Sequence, residues 1–306
     1  MKKELIEENY GITLLGLVKL SDKTYKVFTE EEAFLLKKHD DEYIENIFIR
    51  LKMLSIDYFH LPVLTKQGNY LLYDEDKRYA LYHYYDDESV LNKDIRLHFY
   101  TKALAELHSL SSFPVNVADG YFVDKLDFLQ KQIDDKENEL LFRVKRIERE
   151  DYHSPEDWYF YMNYQHFHLA LQTAKKYLDD LDEAYKTATD LHLCLTYQNF
   201  DYRHILVRAQ KILSLDKMAL ASPVNDLLFL FDDKVSFTID STVFLKEYFS
   251  IYQMSKYEIY ELLTLLFIPQ KENKPGIKED IDDTSKAIRF LNRVEKVAKF
   301  ISSTIS

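Results

Sequence analysis

The sequence predicts an α+β protein in which a small strand-rich part is followed by a larger, mainly helical part. Short segments rich in β-branched and aromatic residues are confined to roughly the first 90 of the 306 residues, and helical periodicity dominates after them. A chain of this length suits one large domain or two modest lobes. We therefore expect an antiparallel-sheet domain over residues 1–88 and a mainly helical domain over residues 89–306.

The strand-rich part begins with a short helix and three strands. Residues 2–9 form an acidic segment that favours a helix, and Gly11 ends it. Three apolar segments follow, with charged turns between them, and this pattern predicts an antiparallel meander. The three predicted strands cover residues 12–20, 24–28 and 33–37.

A helix and a hairpin complete the strand-rich part. Asp40 and Asp41 are candidate N-cap residues for a helix predicted over residues 42–54, whose apolar side chains recur on one face. Residues 70–73 and 79–82 are apolar, tyrosine-rich segments on either side of a polar, acidic turn. Such a pair of segments predicts a β-hairpin.

The second part of the chain carries helical periodicity in five segments. These segments cover residues 94–110, 124–149, 155–190, 241–268 and 279–303. One β-like interruption occurs where residues 205–207 and 212–215 flank a polar turn, which predicts a short hairpin. Together the two parts predict a small α+β lobe joined to a larger helical lobe.

The composition argues against several classes of function. With only 5 glycines, the chain is a poor candidate for a glycine-rich loop that cradles phosphates. A formal net charge of −12 argues against nucleic acid or an anionic membrane as partner, because phosphate neutralisation needs a basic surface. The single cysteine, Cys194, fits a reducing compartment, and no segment is apolar enough for a signal peptide or a membrane span. We expect a cytoplasmic protein without a membrane span.

Several segments, taken in their order and spacing, resemble those of a known family. Residues 25–28 and 34–37 are similar to paired strands of which the second ends in an ATP-contacting lysine. Residues 79–86 resemble the strand and hinge between two lobes, and residues 103–110 resemble a helix that ends in a leucine–histidine pair. Residues 262–269 resemble a late helix that ends in proline. The chain thus resembles the aminoglycoside/choline phosphotransferases, which have a protein-kinase-like two-lobe fold, and among them the spore-coat-associated CotS/YutH type.

This resemblance implies a nucleotide site for ATP and Mg²⁺. Lys37 would contact the phosphates and pair with a carboxylate on the following helix, Glu45 or Glu42. Tyr84 would lie at the hinge beside the adenine pocket, and Asp216 would bind the metal ion.

The resemblance also places a catalytic loop at residues 197–204, where the chain departs from the family pattern. That pattern is His-Gly-Asp, four further residues and Asn, and the chain has Tyr197, Gln198, Asn199 and His204 at those positions. Asn199 stands where the catalytic aspartate is expected and cannot accept a proton from a hydroxyl. His204 stands at the second metal position and offers a nitrogen, whereas Mg²⁺ prefers oxygen ligands.

These departures predict a pseudokinase, a kinase-like protein that has lost efficient phosphoryl transfer. It would act as a binding or structural module with a protein partner, in the cytoplasm or in a spore-coat or developmental assembly. The alternative is an active ATP-dependent phosphotransferase with rearranged catalytic residues and a small-molecule hydroxyl acceptor. In that alternative Asp201 is the candidate for a substitute base. The aromatic run at residues 158–164 is interpreted either as core packing or as a surface for a protein partner.

Overall fold

The computed structural model describes residues 3–86, 92–116, 118, 120–188, 190–232, 234–236, 239–269 and 281–305. Packing divides the chain into two compact units. One consists of Met1–Ser111 with Leu195–Leu220, and the other of Ser112–Cys194 with Ala221–Ser306. The predicted domain boundary at residue 88 lies outside the described residues and stays a prediction. None of the described helices is long and apolar enough to cross a membrane.

Five strands of the first unit form one antiparallel sheet in the order β1-β2-β3-β5-β4. The elements in chain order are α1 (Lys3–Tyr10), β1 (Gly16–Lys19), β2 (Thr24–Phe28), β3 (Ala33–His39), α2 (Ile44–Met53), β4 (Leu72–Asp74), β5 (Lys77–His83) and α3 (Lys93–Ser111). The predicted meander and hairpin are confirmed. The first strand is shorter than predicted, because the amide of Leu14 donates to the carboxylate of Glu7 at 2.7 Å instead of joining the sheet.

The two faces of this sheet carry different residues, since successive side chains of a strand alternate. On one face Val27, Phe34, Leu36 and Leu81 pack into a core with Ile6 of α1. Burial of such side chains is worth about 1.5–3 kcal/mol each and holds the sheet against the helix.

The opposite face of β3 carries Lys37 and His39, which alternate with the core residues. Helix α2 covers part of this face through Phe48, whose ring contacts those of His39 and Tyr82 at centroid distances of 5.9 and 6.4 Å. The strand thus places a lysine and a histidine side by side on the face away from the main apolar core.

Most of the second unit is helical. Its long elements are α4 (Tyr121–Arg149), α5 (Pro155–Thr187), α7 (Ser241–Phe249), α8 (Lys256–Phe267) and α9 (Ile281–Ile305), with the short helix α6 (Val224–Leu227) before α7. The helical periodicity of residues 241–268 corresponds to two helices, α7 and α8. Two helices occur there because Ser255 and Glu258 form a capping box that starts α8.

Three short strands were not predicted. They are β6 (Phe113–Val115), β7 (Leu191–Thr196) and β10 (Ala219–Ala221), and β6 pairs with β7 in antiparallel register. A short apolar run such as residues 191–195 does not by itself distinguish a buried strand from a buried helix. The predicted hairpin is confirmed in shorter form as β8 (Ile205–Leu206) and β9 (Lys211–Ile212).

His60 is a buried histidine in the segment between α2 and β4. Its ring contacts those of Tyr82 and Tyr85 at centroid distances of 5.3 and 5.1 Å. Its Nε2 atom has no hydrogen-bond partner among the described residues. Burial, with smaller contributions from the positive charges of Lys211 and His83, lowers the pKa of His60 to about 4.

We expect His60 to make the free energy of unfolding depend on pH. The unfolded chain takes up a proton on this histidine below about pH 6.5, and the folded chain does so only near pH 4. Stability therefore falls as the pH drops through this window, by roughly 2–3 kcal/mol from this residue. Urea titrations of the wild type and His60→Phe at several pH values measure the difference. Parallel pH profiles for the two chains would show that His60 has no such role.

Candidate active site

The loop after β7 carries the residues that stand at the catalytic positions of the resembled family. A short 3-10 turn, Tyr202–His204, leads into the β8–β9 hairpin. Strand β9 also bonds to an earlier segment, since the amide of His60 donates to the carbonyl of Ile212 at 2.9 Å. A second 3-10 turn, Leu215–Lys217, follows and carries Asp216. All these residues belong to the first unit.

Tyr197 is fully buried at the start of this loop. Its hydroxyl donates to the carbonyl of Leu213 at 2.5 Å and lies 3.2 Å from Nδ1 of His204. Its ring contacts those of Phe59 and Tyr100 at 6.1 and 5.7 Å. The side chain at the family's histidine position thus connects the two ends of the loop and fills the space beneath them.

The backbone of the loop keeps a conformation that suits glycine. Gln198, at the family's glycine position, has a φ angle of 52°, in the left-handed region that costs an L-residue about 1–2 kcal/mol. Its side-chain amide donates to the hydroxyl of Thr196 at 2.7 Å, which ties it back to β7.

Asn199 and His204 are both bonded within the loop. The side-chain amide of Asn199 donates to the carbonyl of Ser214 at 2.9 Å. Nδ1 of His204 lies 3.1 Å from the carbonyl of Asn199, and a carbonyl only accepts, so Nδ1 carries the proton. Burial lowers the pKa of His204 and favours its neutral form.

Asp201, the candidate substitute base, is engaged with Arg203. One carboxylate oxygen accepts from the backbone amide and Nε of Arg203, and the other accepts from Nη2 at 2.9 Å. These hydrogen bonds hold the pKa of Asp201 well below its usual range. The carboxylate caps the 3-10 turn, and this arrangement disfavours proton uptake from an acceptor.

Asp216 lies in contact with two side chains of β3. Its Oδ2 atom forms an ion pair with Nζ of Lys37. Its Oδ1 atom lies 3.0 Å from Nδ1 of His39, whose Nε2 lies 3.0 Å from the hydroxyl of Tyr82. We refer to Lys37, His39 and Asp216 as the β3 cluster.

Lys37 and His39 keep Asp216 ionised. Partial burial would raise the pKa of this carboxyl, but the hydrogen bond from His39 and the positive charge of Lys37 outweigh it and hold the pKa well below the usual range. Burial, reinforced by the negative charge of Asp216, raises the pKa of Tyr82 far above its ordinary value. Asp216 is therefore ionised, and Tyr82 keeps its proton.

Glu45 does not pair with Lys37, contrary to the prediction. Its Oε1 atom accepts from the backbone amides of Tyr70 and Leu71 at 2.9 and 3.3 Å. The other candidate, Glu42, lies 3.9 Å from the guanidinium of Arg78. The prediction failed for two reasons. Glu45 is the acceptor for two backbone amides beside α2. Lys37 has its carboxylate partner in Asp216 instead.

Replacing Glu45 by alanine is expected to lower the free energy of unfolding by about 1–3 kcal/mol, since two amide donors lose their acceptor. Glu45→Gln keeps one acceptor oxygen and should retain most of the stability. Denaturant titration of both variants measures this. Equal losses for the two variants would point to the charge of Glu45, and not to its hydrogen bonds, as the stabilising feature.

Tyr84 follows β5 and lies beneath a lysine. Nζ of Lys26 is 3.6 Å from the centroid of the Tyr84 ring, a cation–π contact. The amide of Tyr84 donates to the carbonyl of Ala33 at 3.0 Å and so extends the pairing of β3 with β5. A nucleotide base stacking on this face of the ring would have to displace Lys26, and the role of Tyr84 in an adenine pocket stays a prediction.

The structure therefore brings some of the predicted residues together and separates others. Lys37 and Asp216 are in contact, and Asn199 and His204 share one loop, whereas Glu45 and Tyr84 have other partners. His39 was not predicted as a site residue. Its signal was its position two residues after Lys37 on the same strand, which places both side chains on one face.

The residues present do not fit a Mg²⁺ ion as they are arranged. Mg²⁺ demands octahedral coordination, mostly by oxygen. Both oxygens of Asp216 already accept hydrogen bonds. His204 offers nitrogen and not oxygen, and its Nδ1 atom is bonded to the carbonyl of Asn199. Within the described part of the chain, no group of three or more histidine, cysteine, aspartate or glutamate side chains is arranged to hold a metal ion.

Comparison with solved structures assigns the fold. The chain is similar to an aminoglycoside phosphotransferase from Alicyclobacillus acidocaldarius, with a TM-score of 0.66, 10% identity and coverage of 99% of this chain and 95% of that one. It is also similar to a spectinomycin phosphotransferase in complex with ADP and spectinomycin, with a TM-score of 0.52, 14% identity and coverage of 96% and 97%. The same enzyme in complex with AMP gives a TM-score of 0.51 at 16% identity, with coverage of 87% and 86%. No protein-family model and no curated protein matches the sequence. The chain has a kinase-like phosphotransferase fold of the predicted α+β class, with an antiparallel sheet and a large helical part.

Proposed function

We propose that this chain is a pseudokinase, which keeps the phosphotransferase fold and acts as a binding module without efficient phosphoryl transfer. The observation that carries the proposal is the contact of Asn199 with the carbonyl of Ser214 at 2.9 Å. The group at the catalytic-aspartate position holds the backbone two residues before Asp216 and has no capacity to accept a proton. Loss of a general base costs roughly 10²–10⁴-fold in rate.

The surrounding loop supports this proposal. Tyr197 and His204 bond to each other and to loop carbonyls, and Asp201 is bonded to Arg203. These four side chains thus hold the loop. A phosphotransferase would instead need groups directed at an acceptor hydroxyl and at the transferred phosphoryl group.

An active phosphotransferase is the second candidate, and one observation favours it. Lys37 and Asp216, which the resemblance assigns to the phosphates and the metal ion, are both present and in contact. The structural neighbours include complexes with ADP and AMP, and these support nucleotide binding as a property of this chain also.

A protein partner is the remaining part of the proposal. Trp158 and Met162 on α5 expose 51% and 78% of their surface, whereas Phe160 is buried. The aromatic run thus serves the core and also presents apolar side chains to solvent, as interfaces do. A spore-coat assembly as the partner, and the cytoplasm or the coat as the location, stay predictions from the sequence.

The proposal is tested by incubation with Mg-ATP and a collection of polar hydroxyl compounds, followed by mass spectrometry. We expect no phosphorylated product above the amount formed by Asp216→Asn, and calorimetry with ATP then reports whether nucleotide binding survives. A product that the wild type makes and Asp216→Asn does not would overturn the proposal in favour of the active enzyme.

A further inference from the structure

His39 is the part of the β3 cluster that neither the sequence nor the proposed function accounts for. Its side chain is almost completely buried, with 2% of its surface exposed, while that of Asp216 is 36% exposed. An unpaired buried polar group costs about 1–3 kcal/mol, so partners for both ring nitrogens stabilise a buried histidine. Those partners are Asp216 and Tyr82.

The partners fix the tautomer of His39. An ionised carboxylate only accepts, so Nδ1 of His39 carries the proton and donates it to Asp216. Nε2 forms the second hydrogen bond of the ring, with the hydroxyl of Tyr82 at 3.0 Å. Hydrogen bonds thus link Tyr82, His39 and Asp216 in series.

In this arrangement His39 competes with a divalent cation for the carboxylate of Asp216. A metal ion that binds Asp216 must compete with His39 for Oδ1 and with Lys37 for Oδ2, and the ammonium group of Lys37 also repels it. Because His39 is held by the sheet on one side and by Tyr82 on the other, it cannot easily move aside. His39→Leu would keep an apolar side chain in this space and remove the donor.

We propose that His39 is a positioning residue. Its hydrogen bond to Oδ1 keeps Asp216 paired with Lys37 and away from a divalent cation, so that a nucleotide binds at this site without such a cation. The inference rests on the proposed function, since an enzyme of this fold needs the metal ion to neutralise the phosphates. It adds a specific cause: His39, two residues after Lys37 on β3, takes one of the two carboxylate oxygens.

The test is a calorimetric titration with ATP, once in EDTA and once with excess Mg²⁺, on the wild type, His39→Leu and His39→Asn. The wild-type affinity is expected to be the same within about threefold in the two conditions. In His39→Leu, Mg²⁺ should strengthen binding about tenfold or more, because Oδ1 becomes available. His39→Asn keeps an N–H donor and should behave like the wild type.

Four results would overturn the inference. They are no ATP binding by the wild type in either condition, Mg²⁺-dependent binding in the wild type, no gain of Mg²⁺ dependence in His39→Leu, and the same gain in His39→Asn.

A second measurement does not depend on the stability of the leucine variant. In the wild type, the Nδ1 proton of His39 is followed by NMR with labelled histidine and is assigned by its loss in His39→Asn. Its signal should stay in place when Mg²⁺ and ATP are added together. A displaced or vanishing signal would mean that metal takes Asp216 away from His39.

The two proposals fail separately. A wild type that forms product from ATP refutes the pseudokinase, whatever its metal dependence of binding. A wild type that forms no product but binds ATP only with Mg²⁺ refutes the role of His39 and leaves the pseudokinase standing.

Discussion

Truncation of Tyr197 to alanine is expected to lower the free energy of unfolding by about 3–5 kcal/mol. The side chain is fully buried, it contacts the rings of Phe59 and Tyr100, and its hydroxyl donates to the carbonyl of Leu213. Alanine removes these contacts and leaves a cavity beneath the loop. Denaturant titration followed by circular dichroism measures the loss.

The matched control is Tyr197→Phe, which keeps the ring and removes only the hydroxyl. We expect this variant to lose about 1–2 kcal/mol, because the carbonyl of Leu213 loses its donor while the packing stays. A loss below about 1 kcal/mol for the alanine variant would contradict the structural role of Tyr197, given what a buried aromatic contributes.

Replacement of Asp216 by asparagine is expected to strengthen the binding of metal-free ATP by about tenfold. In the wild type this carboxylate neutralises Lys37 and would lie close to any phosphate that Lys37 contacts. Asparagine removes the negative charge and frees the ammonium group. The pair is partly exposed to solvent, so screening keeps the gain well below the unscreened Coulomb energy.

Calorimetry in EDTA measures this change, with the double variant Lys37→Met, Asp216→Asn as the control. The double variant should lose the gain, because the cation that contacts the phosphate is gone. If Asp216 were a metal ligand of an active enzyme, the result would differ. Asp216→Asn would then weaken the binding of Mg-ATP and leave the binding of metal-free ATP unchanged.

The order of elements was predictable from the sequence because each carries a strong local signal. The three-stranded meander, the helix after β3 and the tyrosine-rich hairpin all occur where periodicity and polar turns place them. The failures are short elements and boundaries. The helical periodicity of residues 241–268 is interrupted by the capping box at Ser255, a local signal that competes with a continuing apolar period.

The candidate site was predictable only in part, because a sequence pattern points to individual residues but does not show which side chains they contact. The pattern pointed to Lys37, Asn199, His204 and Asp216, but Glu45 was assigned to Lys37 on the basis of a family arrangement. In the structure Glu45 satisfies two backbone amides, and the need of those amides is invisible in a single sequence. His39 was missed for the same reason, since its contact with Asp216 joins residues that are far apart in the chain.

We propose that the loop at the catalytic position holds structure and no longer performs phosphoryl transfer. The most direct measurement is phosphorus NMR of Mg-ATP incubated for many hours with a stoichiometric amount of the protein, where water serves as acceptor even when no other is supplied. We expect the wild type to form ADP no faster than Asp216→Asn does. Formation of ADP at least about tenfold faster by the wild type would contradict it, since that ratio requires more than 1 kcal/mol of transition-state stabilisation from this site.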